Sequence, residues 1–140
     1  MEEYISRTEK DTEAIGAIAA TLCKNPDFVA LYGDMGSGKT VFMRGFAGAL
    51  IPNVRVTSPT YAILNVYEGE NIQINHFDMY RITSEEDLLS TGFEDVLDQG
   101  VTVCEWSENI TEFIPESHLR IVFEKLDDLT RRITIERVGK

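Results

Sequence analysis

The chain has 140 residues, of which 43% are hydrophobic and 26% charged, which suits one ordinary soluble domain. No apolar run approaches the roughly 20 residues that a membrane-spanning helix needs. The acidic start also lacks the basic and apolar regions of a secretory signal. Two cysteines, Cys23 and Cys104, are too few for a disulfide framework or a zinc cluster and fit a reducing compartment. We therefore expect a single cytoplasmic domain over residues 1–140 that does not associate with a membrane and is monomeric on its own.

The charge distribution limits the partners. A net charge of −11 repels a phosphate backbone unless basic residues cluster on one face, so strong direct binding to nucleic acid is not expected. No Lys or Arg occurs from Ile82 to Leu119, where ten acidic residues lie. This stretch is either a solvated acidic face or a docking surface for a basic protein partner.

The first half of the chain predicts a helix, a buried strand, a glycine-rich loop and a second helix. Thr8 is a candidate N-cap, and apolar residues recur at helical spacing as far as Leu22. Phe28–Tyr32 is a short apolar run that ends in glycine, as expected for a strand buried on both faces. A helix is predicted over Lys39–Leu50, and a short β-like stretch over Val54–Val56. Strand, loop and helix in this order form the frame of a nucleotide-binding unit.

The second half predicts further strands and short helices. Tyr61–Glu68 and Asn71–Phe77 read as a hairpin that turns at Gly69. Ser84 precedes three acids, which is typical of a helix start. The remaining predictions are helices at 93–97 and 109–113, a strand at 101–105, and a hairpin of 119–126 with 131–138 that turns at Asp127-Asp128. The predicted fold is α/β, with a mixed, mostly parallel sheet and antiparallel hairpins.

One motif carries the chemistry. The segment from Gly33 to Thr40 matches G-x-x-x-x-G-K-[ST], the phosphate-binding P-loop. Its glycines let backbone N–H groups approach phosphate oxygens, and the helix that follows adds its N-terminal dipole. Lys39 should reach the β- and γ-phosphates, and the Thr40 hydroxyl should bind Mg²⁺. The residues expected at the phosphates are Gly33, Met35, Gly36, Ser37, Gly38, Lys39 and Thr40.

A P-loop also needs a carboxylate at the end of a neighbouring strand. Asp78 closes one predicted strand and Glu105 another, and alternation places His76 on the same face as Asp78. Each acid by itself is equally a helix cap or a surface ion pair, but two strand-end acids beside an intact P-loop favour a catalytic site. His76 and Trp106 read as packing residues.

The segment Thr57-Ser-Pro-Thr60 carries three hydroxyls on a loop that Pro59 stiffens. Such a loop could sense a γ-phosphate or its metal, as switch loops do. On the residues alone, a plain turn explains it as well.

Four motifs follow one another along the chain: Leu31-Tyr-Gly-Asp-Met-Gly-Ser-Gly-Lys-Thr40, Thr57-Ser-Pro-Thr60, His76-Phe-Asp-Met-Tyr-Arg81 and Val103-Cys-Glu-Trp106. In this order and spacing they resemble the TsaE family, also called YjeE. The resemblance covers nearly the whole chain. One departure is Ser107, where that family commonly has proline, and it puts only the local loop shape in doubt.

The resemblance implies an ATPase that works with TsaD and TsaB to form threonylcarbamoyladenosine next to the tRNA anticodon. It implies ATP or ADP on the P-loop, Mg²⁺ on Thr40 and Glu105, and catalytic roles for Lys39, Asp78 and Glu105. Contacts to the nucleotide from Glu9, Thr57, Arg131 and Arg132 are further implications.

Other P-loop functions compete with this interpretation. A small-molecule kinase is the nearest alternative, although its lid arginines would fall in the base-free stretch at 82–119. A regulatory GTPase is less favoured, because the sequence contains no Asn-Lys-x-Asp element to recognise guanine. A third possibility is a nucleotide-gated binding module, which would hydrolyse little nucleotide on its own. Since no basic residue near the acidic stretch can serve as an arginine finger, hydrolysis is expected to be slow and partner-dependent, with Arg44, Arg55 and Arg81 as possible internal substitutes.

Overall fold

One mixed sheet organises the computed structural model of the chain, which describes residues 1–33, 38–57, 59 and 63–139. Its seven strands within those ranges are β1 (Glu2–Ser6), β2 (Asp27–Tyr32), β3 (Leu64–Glu68), β4 (Gln73–Asp78), β5 (Val101–Glu105), β6 (His118–Lys125) and β7 (Arg131–Val138). The helices are α1 (Glu9–Thr21), α2 (Lys39–Leu50), α3 (Glu85–Ser90) and α4 (Phe93–Val96), and a 3₁₀ helix covers Ser107–Phe113.

The strand order is β1-β7-β6-β2-β5-β4-β3. Strand β2 pairs in parallel with β5 and β6, and β4 pairs in parallel with β5. The other pairs, β1 with β7, β6 with β7, and β3 with β4, are antiparallel. The carboxyl ends of β2, β5 and β4 therefore lie side by side at one edge of the sheet, which is where ligands bind in open α/β sheets.

Several sequence-based predictions are confirmed. Helix α2 has the predicted bounds, and the side chains of Thr8 and Ser84 accept N-cap hydrogen bonds from the backbone of Asp11 and Asp87. Both predicted hairpins form, in the part of the chain that the structure describes. The mixed α/β sheet with antiparallel hairpins is thus observed, and the parallel pairing is confined to its four central strands.

The structure contains one strand that the sequence did not predict and lacks one β-like stretch that it did. Strand β1 has no alternating apolar pattern, and it forms because its backbone pairs with β7. The predicted β-like stretch Val54–Val56 is not a strand. Its two valines pack against the core instead, so their apolar character reflects burial and not strand pairing.

The core lies on both faces of the sheet. Val29 and Leu31 of β2 pack in the cluster with α1 and α2, whereas Phe28 and Ala30 pack in the cluster with α3 and α4. This alternation is that of a strand buried on both faces. The base-free stretch from Ile82 to Leu119 contributes Leu88 and Phe93 to the second cluster, so its helices belong to the core of the domain.

Helices α1 and α2 approach each other closely at two glycines. A Cβ built on Gly16 would lie 2.2 Å from the carbonyl oxygen of Phe42, and one built on Gly45 would lie 1.9 Å from that of Glu13. Because neither backbone leaves room for a side chain, the contact depends on glycine at both positions.

A bidentate ion pair connects β7 to the start of β2. It lies at the end of the sheet opposite the carboxyl ends of β2, β5 and β4. Arg137 Nη1 and Nη2 donate to Asp27 Oδ1 and Oδ2 at 3.0 and 2.6 Å. Burial of the carboxylate opposes its ionisation, but the hydrogen bonds from Arg137 and from the backbone of Lys24 and Phe28 outweigh this and hold the pKa of Asp27 below its usual range.

None of the helices in the described ranges combines the length and the hydropathy needed to span a membrane.

Candidate functional site

A cleft of about 740 Å³ opens at the carboxyl ends of β2, β5 and β4. This volume lies within the range of small-molecule sites. The described residues that line it come from five parts of the chain: Ser6, Arg7, Thr8, Glu9 and Thr12; Gly38, Lys39, Thr40 and Val41; Asp78 and Tyr80; Glu105 and Trp106; and Asp128, Leu129 and Arg131.

The C-terminal part of the P-loop forms the floor of the cleft. Gly38 has φ 96° and ψ 16°, a left-handed conformation that strains other residues, and it precedes the first turn of α2. Lys39 is buried, and its Nζ donates to the carbonyl oxygen of Gly33 at 2.6 Å. Thr40 lines the same cleft. The predicted contacts Met35, Gly36 and Ser37 lie outside the described residues.

The two predicted acids meet at the cleft. Asp78 and Glu105 are direct Cα partners in the parallel β4–β5 pair, and both are buried. One oxygen of Asp78 accepts a 2.9 Å hydrogen bond from the backbone N–H of Tyr80. Glu105 Oε2 lies 2.6 Å from His76 Nε2. Each carboxylate is therefore held in a defined orientation beside the P-loop.

Trp106 forms one wall of the cleft. Its ring centroid lies 4.4 Å from Lys39 Nζ and 4.9 Å from the ring centroid of Tyr80. The backbone of Trp106 is left-handed, with φ 58° and ψ 43°. Ser107, which follows it, is buried and donates its hydroxyl to the carbonyl oxygen of Cys104 at 2.8 Å, so a regular local structure forms with serine at this position. The indole therefore contacts the lysine of the P-loop, beyond the packing role that the sequence favoured.

The segment before α1 closes another side. Arg7 and Thr8 line the cleft just before α1, and so do Glu9 and Thr12 of α1; the nucleotide contact implied for Glu9 remains a prediction. The hydroxyls of Ser6 and Thr12 lie 2.6 Å apart and are buried, which fixes this segment against α1.

The turn between β6 and β7 supplies the remaining side and separates two candidate arginines. Arg131 lines the cleft, and its Nη1 donates to the carbonyl oxygens of Asp127, Asp128 and Thr130 in the turn. Arg132 lies outside the cleft lining and pairs with Glu124 at 2.9 Å and Glu3 at 3.6 Å. Neighbouring strand residues point to opposite faces, so Arg131 faces the cleft and Arg132 does not. The nucleotide contact implied for each arginine remains a prediction.

Thr57 does not line the cleft among the described residues. Its carbonyl oxygen accepts hydrogen bonds from Tyr67 Oη at 2.9 Å and from Asn65 Nδ2 at 3.1 Å. The proposed role of the Thr57–Thr60 segment remains a prediction, because residues 58 and 60 lie outside the described ranges.

Sequence reasoning missed several residues of the site. Arg7, Thr12, Tyr80 and Leu129 line the cleft, while Glu108 Oε2 accepts a 3.0 Å hydrogen bond from the N–H of Gly33. Only Tyr80 carried a signal, since it lies within the motif that holds Asp78. The suggested internal arginines Arg44, Arg55 and Arg81 are not among the described lining residues, whereas Arg7 and Arg131 are.

The donor set suits a hard cation such as Mg²⁺. Two carboxylates and the Thr40 hydroxyl line one cleft with a lysine, and Mg²⁺ in nucleotide sites typically takes one or two protein oxygens in addition to phosphates and waters. Within the described residues no group of three His, Cys, Asp or Glu side chains forms an all-protein metal cage. The residues present therefore fit a cation that arrives with a nucleotide.

Comparisons with known proteins give one family. The family model described as "Threonylcarbamoyl adenosine biosynthesis protein TsaE" matches residues 6–133. Proteins named tRNA threonylcarbamoyladenosine biosynthesis protein TsaE include one from Bacillus subtilis (strain 168), 37% identical over 93% of this chain and 82% of its own length. Another, from Treponema pallidum (strain Nichols), is 36% identical over 94% of this chain and 97% of its own length. A crystal structure of Bacillus subtilis YdiB superposes with a TM-score of 0.77 and 31% identity, covering 99% of this chain and 86% of that one.

Proposed function

Because the chain belongs to the TsaE family, we propose that it serves threonylcarbamoyladenosine formation in tRNA as the component that binds and hydrolyses ATP. One observation carries the proposal: a single cleft joins the described end of the P-loop with two buried strand-end acids. The nucleotide phosphates would lie over the N-terminus of α2, where backbone N–H groups and the helix dipole favour anions.

Lys39 would hold the β- and γ-phosphates. Its ammonium is already at the cleft floor, between the carbonyl oxygen of Gly33 and the face of Trp106. A phosphate can replace the carbonyl as the acceptor, while the indole keeps the lysine stem in place. Gly38 keeps the backbone open at the point where a phosphate approaches.

Thr40 and Glu105 would hold Mg²⁺, which supplies charge neutralisation at the β- and γ-phosphates when it is bound. Asp78 would orient the attacking water or the Thr57–Thr60 segment. The buried positions of both acids support these roles, since a carboxylate in a water-poor cleft interacts strongly with its partners.

The proposal includes the protein partners TsaD and TsaB and a slow rate for the isolated chain. Eight of the ten acids in the stretch Ile82–Leu119, which has no Lys or Arg, are exposed, and this negative charge complements a basic partner surface. Arg131 is bonded to carbonyl oxygens of its own turn, so it must give up those bonds to act on a transition state. A partner that supplies an arginine, or reorients this one, would accelerate hydrolysis.

A kinase remains the alternative, but no observation in the described residues favours it. The region where a lid was expected packs Leu88 and Phe93 into the core.

The binding part of the proposal is tested by thermal unfolding with Mg-ATP, Mg-ADP and Mg-GTP. At about 100 times the dissociation constant a ligand stabilises the native state by about 2.7 kcal/mol, which is about 8 °C for a domain of this size. We expect such a shift with the adenine nucleotides and a much smaller one with Mg-GTP. Lys39→Ala should abolish it, whereas Lys24→Ala, an exposed lysine before β2 at the other end of the sheet, should retain it. Equal shifts with ATP and GTP would refute adenine selectivity.

The catalytic part is tested by phosphate release with and without TsaD and TsaB. We expect stimulation by the partners. Turnover of about 1 s⁻¹ or more by the isolated chain would contradict partner dependence.

A further inference from the structure

A chain of hydrogen-bonded side chains leads from Glu105, at the cleft, to the backbone at Thr57. Glu105 Oε2 lies 2.6 Å from His76 Nε2, and His76 Nδ1 lies 3.1 Å from the hydroxyl of Tyr67. That hydroxyl lies 2.9 Å from the carbonyl oxygen of Thr57 and accepts from the Thr57 N–H at 3.3 Å. Asn65 Nδ2 adds hydrogen bonds to the carbonyl and hydroxyl oxygens of Thr57, at 3.1 and 3.0 Å. The side chains of His76 and Tyr67 thus connect Glu105 to the backbone of Thr57.

The sheet register places these side chains on one face of three adjacent strands. Asn65 of β3 is the direct partner of His76 of β4, and His76 is the direct partner of Val103 of β5. Tyr67 and Glu105 lie two residues further along β3 and β5, so each reaches His76 diagonally. Three strands therefore hold the path, and each side chain is supported by a paired backbone.

Burial makes the path costly to break. His76 is fully buried, and Tyr67 and Glu105 are 8% and 6% exposed. A polar group at such a depth needs its partner, because water cannot replace it. No described residue hydrogen-bonds to the other oxygen of Glu105, Oε1, so the His76 contact fixes one side of the carboxylate and leaves the other for the cleft.

We infer that His76 and Tyr67 are positioning residues that couple the orientation of the Glu105 carboxylate to the backbone at Thr57. The coupling itself follows from the geometry above. Its use, which is to make the Thr57 segment respond to the cation on Glu105, rests on the proposed function. Coupling between two sites is reciprocal. If cation binding at Glu105 stabilises the Thr57 backbone by some free energy, that backbone stabilises cation binding by the same amount.

The first experiment uses the nucleotide-free protein and follows amide hydrogen exchange in peptides that contain Thr57. Glu105→Ala removes the far end of the path without touching Thr57, and we expect exchange there to quicken about fivefold, the change that the loss of one hydrogen bond brings. Glu105→Gln keeps an oxygen that accepts from His76, so exchange should stay within about twofold of the wild type. Tyr4→Phe, which removes a hydroxyl from β1, is the matched control for Tyr67→Phe and should not alter these peptides.

Unchanged exchange at Thr57 in both Glu105→Ala and His76→Ala would overturn the inference. Should either variant unfold, the Mg²⁺ dependence of ADP binding by Tyr67→Phe, described next, tests the coupling from the opposite end. This variant removes one hydroxyl and leaves the contact between His76 and Glu105 in place.

The second experiment measures ADP binding with and without Mg²⁺ through the fluorescence of Trp106, the single tryptophan of the sequence, which lies 4.4 Å from Lys39 Nζ. Tyr67→Phe should reduce the gain in affinity that Mg²⁺ brings by about threefold or more, with Mg²⁺-free binding unchanged within about twofold. A full Mg²⁺ gain in Tyr67→Phe would overturn the inference. Absence of Mg-ADP binding in the wild type would instead refute the proposed function, and the exchange experiment would still decide the coupling.

Discussion

The contact between α1 and α2 gives a sharp test of how this fold builds its cleft. Helix α2 begins at Lys39 of the P-loop, and α1 begins at the cleft residue Glu9, directly after Thr8. At Gly45 a Cβ would lie 1.9 Å from the carbonyl oxygen and 2.8 Å from the Cα of Glu13. Gly45→Ala therefore cannot be accommodated by a side-chain rotation, and the two helices must separate by roughly 1.5 Å to restore ordinary contact distances.

The expected loss of stability follows from two opposed terms. Overpacking of a core costs about 1–3 kcal/mol, and a clash with backbone belongs at the upper end. Alanine gains about 1 kcal/mol over glycine within a helix. Gly45→Ala should therefore lower the free energy of unfolding by about 2 kcal/mol, which is about 6 °C in melting temperature. Gly48→Ala, three residues further along the same helix, places its Cβ where no atom lies within 4 Å. It should gain about 0.5–1 kcal/mol instead.

Urea unfolding followed by circular dichroism measures both variants under the same conditions. The close contact predicts opposite signs for two identical substitutions in one helix. Equal stabilities, or a Gly45→Ala variant more stable than Gly48→Ala, would refute the close helix contact. Because the clash moves the start of α2, Gly45→Ala should also weaken Mg-ADP binding, which Gly48→Ala should not.

Three further predictions concern single residues. Glu105→Ala should reduce the gain in ADP affinity that Mg²⁺ brings, as measured by calorimetry. Asp78→Ala should keep Mg-ATP binding and lower partner-stimulated phosphate release by about 10² or more. The reverse pattern would exchange the roles of the two acids. Asp27→Asn should cost about 2 kcal/mol at neutral pH. Since the pKa of Asp27 is lowered in the folded state, its stabilisation is present above the unfolded pKa of about 3.9 and is lost as pH falls through the folded value, so urea titrations of wild type and variant should converge in strong acid. Partial burial and the neighbouring Asp27 raise the pKa of Cys23 to about 12, and Cys104 is fully buried, so iodoacetamide at pH 8 should label neither thiol before unfolding. Rapid labelling of Cys104 would contradict its burial, and rapid labelling of Cys23 would contradict its raised pKa.

Local sequence signals predicted several elements of this fold correctly. The P-loop and α2 follow from glycines, a lysine and a helical pattern within one short segment, and the structure gives α2 the predicted bounds. Thr8 and Ser84 predicted the starts of α1 and α3, because an N-cap side chain bonds only to the backbone of the next turn. Asp78 and Glu105 could be singled out because each ends a predicted strand in a chain that also carries an intact P-loop motif.

Features that depend on contacts between distant segments could not be predicted and became visible in the folded chain. Strand β1 exists through its pairing with β7, and Val54–Val56 is not a strand because no residue in the described ranges pairs with it. The order of the strands brings Asp78 opposite Glu105 and places Tyr67 between Thr57 and His76. Packing and strand pairing act between residues far apart in the chain, and no local pattern encodes which distant segments meet.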